Sequence, residues 1–134
     1  MSARPAPSMT PDTQFFWDGV REHRLLIQRC CGCGALRHPP RPMCPRCNSV
    51  VWDTVESAGR GAVFSFVMPH HPQYPWFEYP YIVALVDLDE GTRIVSNLVG
   101  VAPDDATIGM RVEVGYEHFD DGLVLPMFRP VVAS

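Results

Sequence analysis

Four cysteines stand in two pairs with the spacing Cys-x2-Cys, a pattern typical of a metal centre. The pairs are Cys30 with Cys33 and Cys44 with Cys47, and ten residues separate them. Two intervening residues let a tight turn aim both sulfurs at one point, so each pair supplies two corners of a tetrahedron. The sequence therefore predicts a structural zinc ion held by four thiolates, with no open position at which the metal could activate water.

A fifth cysteine, Cys31, stands directly beside Cys30. Because Cys30 keeps the two-residue spacing to Cys33, we expect Cys31 to be a spectator thiol, although the sequence alone leaves a swap of ligands open. Sulfur ligands suit iron as well as zinc, so a rubredoxin-like electron-transfer site and a redox dithiol are alternatives. The sequence offers no second redox group, and this favours zinc.

The residues around the cysteine pairs predict a helix and the strands of a zinc ribbon. Residues 1–11 are rich in Pro, Ser and Ala and lack the apolar run of an export signal, which predicts a disordered head or linker on a cytoplasmic protein. Thr10, Pro11 and Asp12 have the features of a helix start, and the helix is predicted to continue to about His23. Apolar runs at residues 25–29 and 50–56 are predicted to pair as strands. The first predicted unit, the helix and zinc ribbon, spans residues 12–56.

From residue 57 to residue 134 the pattern is that of a small all-β domain. Asp89-Glu90-Gly91 and Asp120-Asp121-Gly122 predict two tight hairpins. Five strands with a longer connection between the third and the fourth fit a partly open barrel of the OB type. The fold class is therefore mainly β, with an N-terminal helix, a zinc ribbon and then a five-stranded OB-fold barrel. The predicted barrel strands are residues 62–68, 81–88, 92–99, 110–118 and 123–128.

The net charge of −4 hides opposite balances in the two halves of the chain. Residues 1–49 carry seven arginines against three acids, a charge of +4, whereas residues 50–134 carry four arginines against twelve acids, a charge of −8. Many OB barrels bind single-stranded nucleic acid in a basic groove, so this is the alternative function to weigh. Phosphate contacts dominate such binding, and a barrel half of charge −8 argues against it. No run approaches the roughly 18 apolar residues that a membrane-spanning helix needs.

The order and spacing of several short motifs resemble a known family. Over residues 13 to about 130, the chain resembles the acyl-CoA-associated proteins in which a rubredoxin-like zinc ribbon precedes an OB-fold, long catalogued as a domain of unknown function. Cys31 is the one feature that departs from the family pattern. The matching motifs are Leu26-Ile27-Gln28-Arg29-Cys30, Cys33-Gly34, His38-Pro39-Pro40-Arg41, Cys44-Pro45-Arg46-Cys47, Gly59-Arg60-Gly61, Pro80-Tyr81, Glu90-Gly91-Thr92-Arg93 and Ile108-Gly109-Met110.

The resemblance implies a non-catalytic subunit that docks on a thiolase-fold enzyme and helps to form or channel its acyl-CoA site. The chain is similar in particular to the version fused to, or working beside, MaoC-like hydratases in actinobacterial steroid side-chain degradation. There the partner is a thiolase-fold aldolase that cleaves a steroid CoA thioester. On this basis we expect acyl-CoA, a thiolase or aldolase and a MaoC-like hydratase as partners, and neither nucleic acid nor membrane. A stand-alone redox or hydrolytic enzyme is the third class considered.

Two groups of residues are candidates for contacts with a CoA thioester, which has an anionic phosphate end and an apolar acyl end. Arg37 or Arg41, close to the ribbon, is expected to meet phosphate because a guanidinium binds it in a two-pronged way. Trp76, Phe77 and Tyr79 belong to a loop rich in proline and aromatic residues, and they are expected to lie against the partner or the acyl chain. A loop folded onto its own barrel explains the same composition equally well.

Overall fold

The computed structural model describes residues 10–68, 81–119 and 122–131 of the chain. Strands β1 to β3 form one sheet, and strands β4 to β8 form a closed barrel. Within the described residues, no helix combines the length and the hydropathy needed to cross a bilayer. The elements in chain order are α1 (Gln14–Arg21), β1 (Leu26–Cys30), β2 (Leu36–Arg37), β3 (Trp52–Glu56), β4 (Arg60–Val67), β5 (Ile82–Leu88), β6 (Arg93–Leu98), a short 3-10 helix (Pro103–Asp105), β7 (Arg111–His118) and β8 (Val124–Pro130).

The ribbon is a three-stranded antiparallel sheet in the order β2-β1-β3. Its central strand β1 pairs with β3 from Leu26 opposite Glu56 to Cys30 opposite Trp52, which confirms the predicted pairing of the two runs that flank the cysteines. The sequence did not predict β2, because a strand of two residues is too short to show any periodicity. Strand β1 therefore has a neighbouring strand on each side, and it ends at Cys30, the first candidate metal ligand.

Helix α1 is shorter than predicted at both ends. It begins at Gln14, and the residue that precedes it is Thr13 rather than Thr10. The backbone oxygen of Thr10 instead accepts the N–H groups of Thr13 and Gln14 in a preceding turn, at 3.0 and 2.9 Å. At the other end the helix stops at Arg21, and His23 has the left-handed φ of 60°, which directs the chain out of the helix.

The barrel has the strand order β4-β5-β6-β8-β7 and closes where β7 pairs with β4. All neighbouring strands are antiparallel except β6 and β8, which run parallel with Asn97 opposite Met127. This is the five-stranded architecture of an OB-fold, and all five predicted strands are confirmed with ends that differ by at most two residues. The barrel is closed and not partly open as expected, since Arg60 to Ala62 pair with Arg111 to Glu113. Asp120 and Asp121 lie outside the described residues, but the hairpin pairing of β7 with β8 is confirmed.

One apolar core runs through both lobes of the protein, the first lobe being the helix with the ribbon and the second the barrel. Phe16 and Val20 of the helix join Leu25 and Ile27 of the ribbon in the same cluster as the interior of the barrel. The helix packs against β1 and β8, so it lies between the ribbon and the barrel. The ribbon is thus seated on the barrel by buried side chains and is not merely tethered to it. The barrel residues of this core are Val63, Ile82, Ala84, Val86, Leu88, Ile94, Leu98, Ala106, Val112, Val124 and Phe128.

Both glycines of the motif Gly59-Arg60-Gly61 stand where a larger residue would collide with its surroundings. Gly59 has a φ of 74°, in the left-handed region, and a Cβ there would also collide with the side chain of Val114. Gly61 lies in β4 where a Cβ would collide with the backbone oxygen of Asp87 on β5. A backbone atom held in a sheet cannot move aside as a side-chain end can, so the approach of β4 to β5 requires glycine at position 61.

Replacing Gly61 with alanine is therefore expected to lower the free energy of unfolding by about 3 kcal/mol, the range of a substitution that overpacks a rigid site. Gly91→Ala is the matched control: Gly91 has a φ of 104° but nothing within 4 Å of an added Cβ. Its expected cost is about 1 kcal/mol, from backbone conformation alone. Urea unfolding of the two variants measures the difference, and equal losses would contradict the steric explanation.

Candidate functional site

The two cysteine pairs lie in turns of the same backbone design. In the first turn the N–H of Gly34 donates to the backbone oxygen of Cys30 at 2.9 Å, and in the second the N–H of Asn48 donates to that of Cys44 at 2.9 Å. Gly34 has a φ of 77° and Asn48 a φ of 64°. Glycine and asparagine are the residues that best tolerate this left-handed conformation, which turns the chain away from the sulfurs.

The four predicted ligand sulfurs come together. All lie within 4.8 Å of one another, with Cys30 Sγ 3.5 Å from Cys47 Sγ and Cys33 Sγ 3.7 Å from Cys44 Sγ. A tetrahedral ion with metal–sulfur bonds of about 2.3 Å sets its sulfurs about 3.8 Å apart, so this geometry fits a four-sulfur metal site. Cys31 is exposed and stands outside the set. Across residues 10–68, 81–119 and 122–131, no second group of three or more His, Cys, Asp or Glu side chains converges in this way.

Hydrogen bonds among the four cysteines favour the thiolate form of Cys30 but not that of Cys47. The backbone N–H of Cys33 first, and then the Cys47 thiol and the N–H of Gly32, lower the pKa of Cys30 to about 6. For Cys47 the N–H of Ser49 lowers the pKa, but the neighbouring thiols outweigh it and raise the pKa to about 12. Four thiolates cannot share so small a space without a cation, because each added negative charge disfavours the next. A metal cation held by these cysteines would supply the charge that lets all four ionise.

Arg37, one of the two predicted phosphate-binding arginines, is buried and its guanidinium is used inside the ribbon. Its Nε and Nη2 donate to the backbone oxygen of Arg41 at 3.1 and 2.8 Å. The buried amide of Gln28 donates to the same oxygen and accepts the N–H of Arg41, each at 2.9 Å. These bonds fix the backbone at Arg41 while its side chain stays exposed. Arg41 is therefore the member of the pair that is open to an anion.

A cavity of about 340 Å³ lies between helix α1, the loop at residues 38–40 and strands β6 and β8. His38 forms one wall, with its ring centroid 5.1 Å from that of Phe16. Burial lowers the pKa of His38 to about 4, so the imidazole is neutral at physiological pH. The motif His38-Pro39-Pro40 thus has a structural role that the sequence did not reveal. The complete lining is Thr13, Phe16, Trp17, His38, Pro39, Pro40, Ile94, Val95, Ser96, Asn97, Leu125, Pro126 and Met127.

The side chain of Glu90, in the turn between β5 and β6, holds the segment that connects the ribbon to the barrel. Its carboxylate accepts the hydroxyl of Ser57 at 2.6 Å and the N–H of Ala58 at 3.1 Å. The Ser57 hydroxyl in turn accepts the N–H of Gly59 at 2.9 Å. The sequence places Glu90 in a hairpin turn and in a family motif, but nothing local shows that its side chain reaches a segment more than thirty positions earlier. Trp76, Phe77 and Tyr79, the predicted partner-binding aromatics, lie outside the described residues.

A four-sulfur ribbon seated on an OB barrel defines the class of this protein, and two family models match it. The model described as "ChsH2, rubredoxin-like zinc ribbon domain" matches residues 17–50, and "ChsH2, C-terminal OB-fold domain" matches residues 54–117. A DUF35 domain-containing scaffold protein of Pyrococcus furiosus is 37% identical over 127 residues, which are 89% of this chain and 93% of that protein. The chain belongs to this DUF35 family, with the ribbon and barrel of the ChsH2 type.

Three further matches are more similar in sequence. The probable enoyl-CoA hydratase alpha subunit of Thermomonospora curvata is 54% identical over 96% of this chain, and the 3-oxo-4,17-pregnadiene-20-carboxyl-CoA hydratase alpha subunit of Mycobacterium tuberculosis is 48% identical over 86%. The chain spans only 40% and 37% of these two relatives. A solved structure, "Ltp2-ChsH2(DUF35) aldolase", contains a chain that is 53% identical with a TM-score of 0.90, and the match covers 94% of this chain and 99% of that one.

Proposed function

We propose that this chain is a non-catalytic subunit that docks on a thiolase-fold enzyme and helps to form its acyl-CoA site. The observation that carries the proposal is the match to the Ltp2-ChsH2(DUF35) aldolase, whose name joins a DUF35 chain to Ltp2, at a TM-score of 0.90 over 94% of this chain. The sequence identity to that chain is 53%, and the match covers 99% of it. The name of the scaffold relative from Pyrococcus furiosus supports the same class.

The metal in this subunit is proposed to be zinc with a structural role. Cys30, Cys33, Cys44 and Cys47 would hold it, and the separations of their sulfurs fit a tetrahedral ion. When bound, zinc neutralises the charge of the thiolates and crosslinks the turns that carry the two cysteine pairs. Four protein ligands leave no position for water or substrate, so the site suits folding rather than catalysis. Iron remains the alternative ion, and the absorption spectrum of the purified protein distinguishes the two.

The acyl group is proposed to be that of a steroid CoA thioester. The name of the Mycobacterium tuberculosis relative refers to a pregnadiene carboxyl-CoA, and both hydratase alpha subunits extend well beyond the length matched here. A MaoC-like hydratase is proposed as a second partner for the same reason. The nucleic-acid alternative is not favoured, because residues 57–134 carry four arginines against ten acids, a charge of −6.

The proposal predicts a complex whose activity needs both members. The chain is co-expressed with a thiolase-fold aldolase of the Ltp2 type from the same genome, and gel filtration is expected to show co-elution at a defined ratio. Cleavage of a steroid CoA thioester by the complex is expected to exceed that by either protein alone by about a hundredfold, because a displaced substrate loses about this much rate. Turnover by this chain alone, or separate elution with full aldolase activity, would contradict the proposal.

A further inference from the structure

The cavity between the two lobes suits an uncharged ligand. Its lining is predominantly apolar, with Phe16, Trp17 and Ile94 on one side and Leu125 and Met127 on the other. A volume of about 340 Å³ lies at the lower end of the range of small-molecule sites, and such sites are common where two domains meet. The cavity can therefore hold a hydrophobic group of moderate size but not a complete CoA thioester.

The polar side chains of the lining carry no charge, and several already bond within the protein, whereas the buried Nδ1 of His38 has no hydrogen-bond partner among the described residues. Ser96 Oγ donates to the backbone oxygen of Pro126 at 2.7 Å, and Asn97 Nδ2 donates to that of Ile82 at 3.2 Å. Within the part of the chain that the structure describes, His38 is the one titratable side chain of the lining. No arginine is among the described residues of the lining, so none of them would offset the negative charge of a phosphate.

We infer that this cavity binds the hydrocarbon acyl group of the thioester and leaves the nucleotide end of CoA outside. The inference rests on the proposed function, and it divides the ligand between the two proteins. Arg41 follows Pro40 of the lining directly, and its side chain is exposed. This chain thus contributes the apolar specificity of the site, while phosphate contacts fall to Arg41 or to the partner.

Val95 gives a way to block the cavity without disturbing the core. It lines the cavity, yet its residue surface is 65% exposed, so a larger side chain can be accommodated there without unfolding the barrel. Val95→Phe is expected to narrow the opening. Val51→Phe is the matched control, because Val51 is 61% exposed on the ribbon and does not belong to the lining. Both variants make the same chemical change at nearly the same exposure.

The test is an NMR titration of the zinc-loaded chain with octanoyl-N-acetylcysteamine, an acyl thioester that lacks the nucleotide, and in parallel with CoA that lacks an acyl group. We expect the indole N–H of Trp17, assigned with a Trp17→Phe variant, to shift saturably with the acyl probe and not with CoA. The indole of Trp52, outside the cavity, should stay unchanged. Val95→Phe should raise the apparent Kd about tenfold or more, whereas Val51→Phe should leave it unchanged.

The outcomes separate this inference from the proposed function. Equal shifts with CoA alone, no shift of Trp17 with the acyl probe, or equal effects of the Val95 and Val51 variants would each overturn the inference even if the aldolase complex forms. If the acyl probe binds as expected but no complex with the aldolase forms, the cavity assignment stands as a property of this chain and the docking proposal fails.

Discussion

Replacing Cys44 with serine is expected to abolish stoichiometric metal binding and to unfold the ribbon lobe. Structural zinc in small domains contributes on the order of 10–16 kcal/mol, whereas a whole domain is stable by only about 5–15 kcal/mol. The ribbon has few other means of support, since its sheet contains three strands and one of them has two residues. Loss of one thiolate opens the metal site, and the remaining contacts cannot compensate for it.

The damage should be largest in the ribbon and smaller in the barrel. The five barrel strands pair only with one another, so their hydrogen-bonded ladder does not depend on the metal. The helix and the ribbon nevertheless share the core of the barrel through Phe16, Val20, Leu25 and Ile27. We therefore expect hydrogen exchange to become fast throughout β1 and β3 in Cys44→Ser, while β5 keeps its protection at a lowered melting temperature.

Cys31→Ser is the matched control for this prediction. It makes the same chemical change one position from a ligand, but Cys31 is exposed and outside the four-sulfur set. Elemental analysis should find about one metal ion per chain in the wild type and in Cys31→Ser, and almost none in Cys44→Ser. Full metal content in Cys44→Ser, or equal losses in the two variants, would refute both the ligand assignment and the structural role of the ion.

The sequence predicted this fold well because its signals are local. A Cys-x2-Cys knuckle, an alternating strand and a Gly-containing hairpin each depend on neighbours within a few positions. The residue after each cysteine pair shows the same local control, since Gly34 and Asn48 tolerate the left-handed conformation that they adopt. The end of the helix was placed wrongly because His23, a residue with no strong preference for a left-handed backbone, adopts that conformation here.

The candidate site was harder to predict because it depends on distant pairs. Arg37 looked like a free cation, but only the folded ribbon shows that its guanidinium donates to the backbone of Arg41. The interlobe cavity joins the helix at residue 17 to β6 and β8, about a hundred positions later in the chain. No periodicity links such segments, so the sequence could not show that Trp17 and Met127 line the same cavity.

The cavity wall at His38 should make stability depend on pH. Burial lowers the pKa of His38 to about 4, whereas an unfolded histidine has a pKa near 6.5. Above pH 6.5 the imidazole is neutral in both states, and the native protein pays no penalty. As pH falls from 6.5 toward 4, His38 binds a proton in the unfolded chain but not in the native state, so stability is lost over this window.

Replacing His38 with phenylalanine should remove this part of the pH dependence. Phenylalanine keeps an aromatic ring against Phe16 but cannot be protonated, and the shift of about 2.5 pKa units corresponds to about 3 kcal/mol, of which about 2 kcal/mol is lost by pH 5. Urea unfolding at several values between pH 5 and 7.5, with metal content checked at each, measures the difference between the two proteins. Protonation of the cysteine ligands is common to both and cancels in that difference. Parallel stability profiles for wild type and His38→Phe would show that the imidazole is not shielded from water, and the uncharged wall assigned to the cavity would then be wrong.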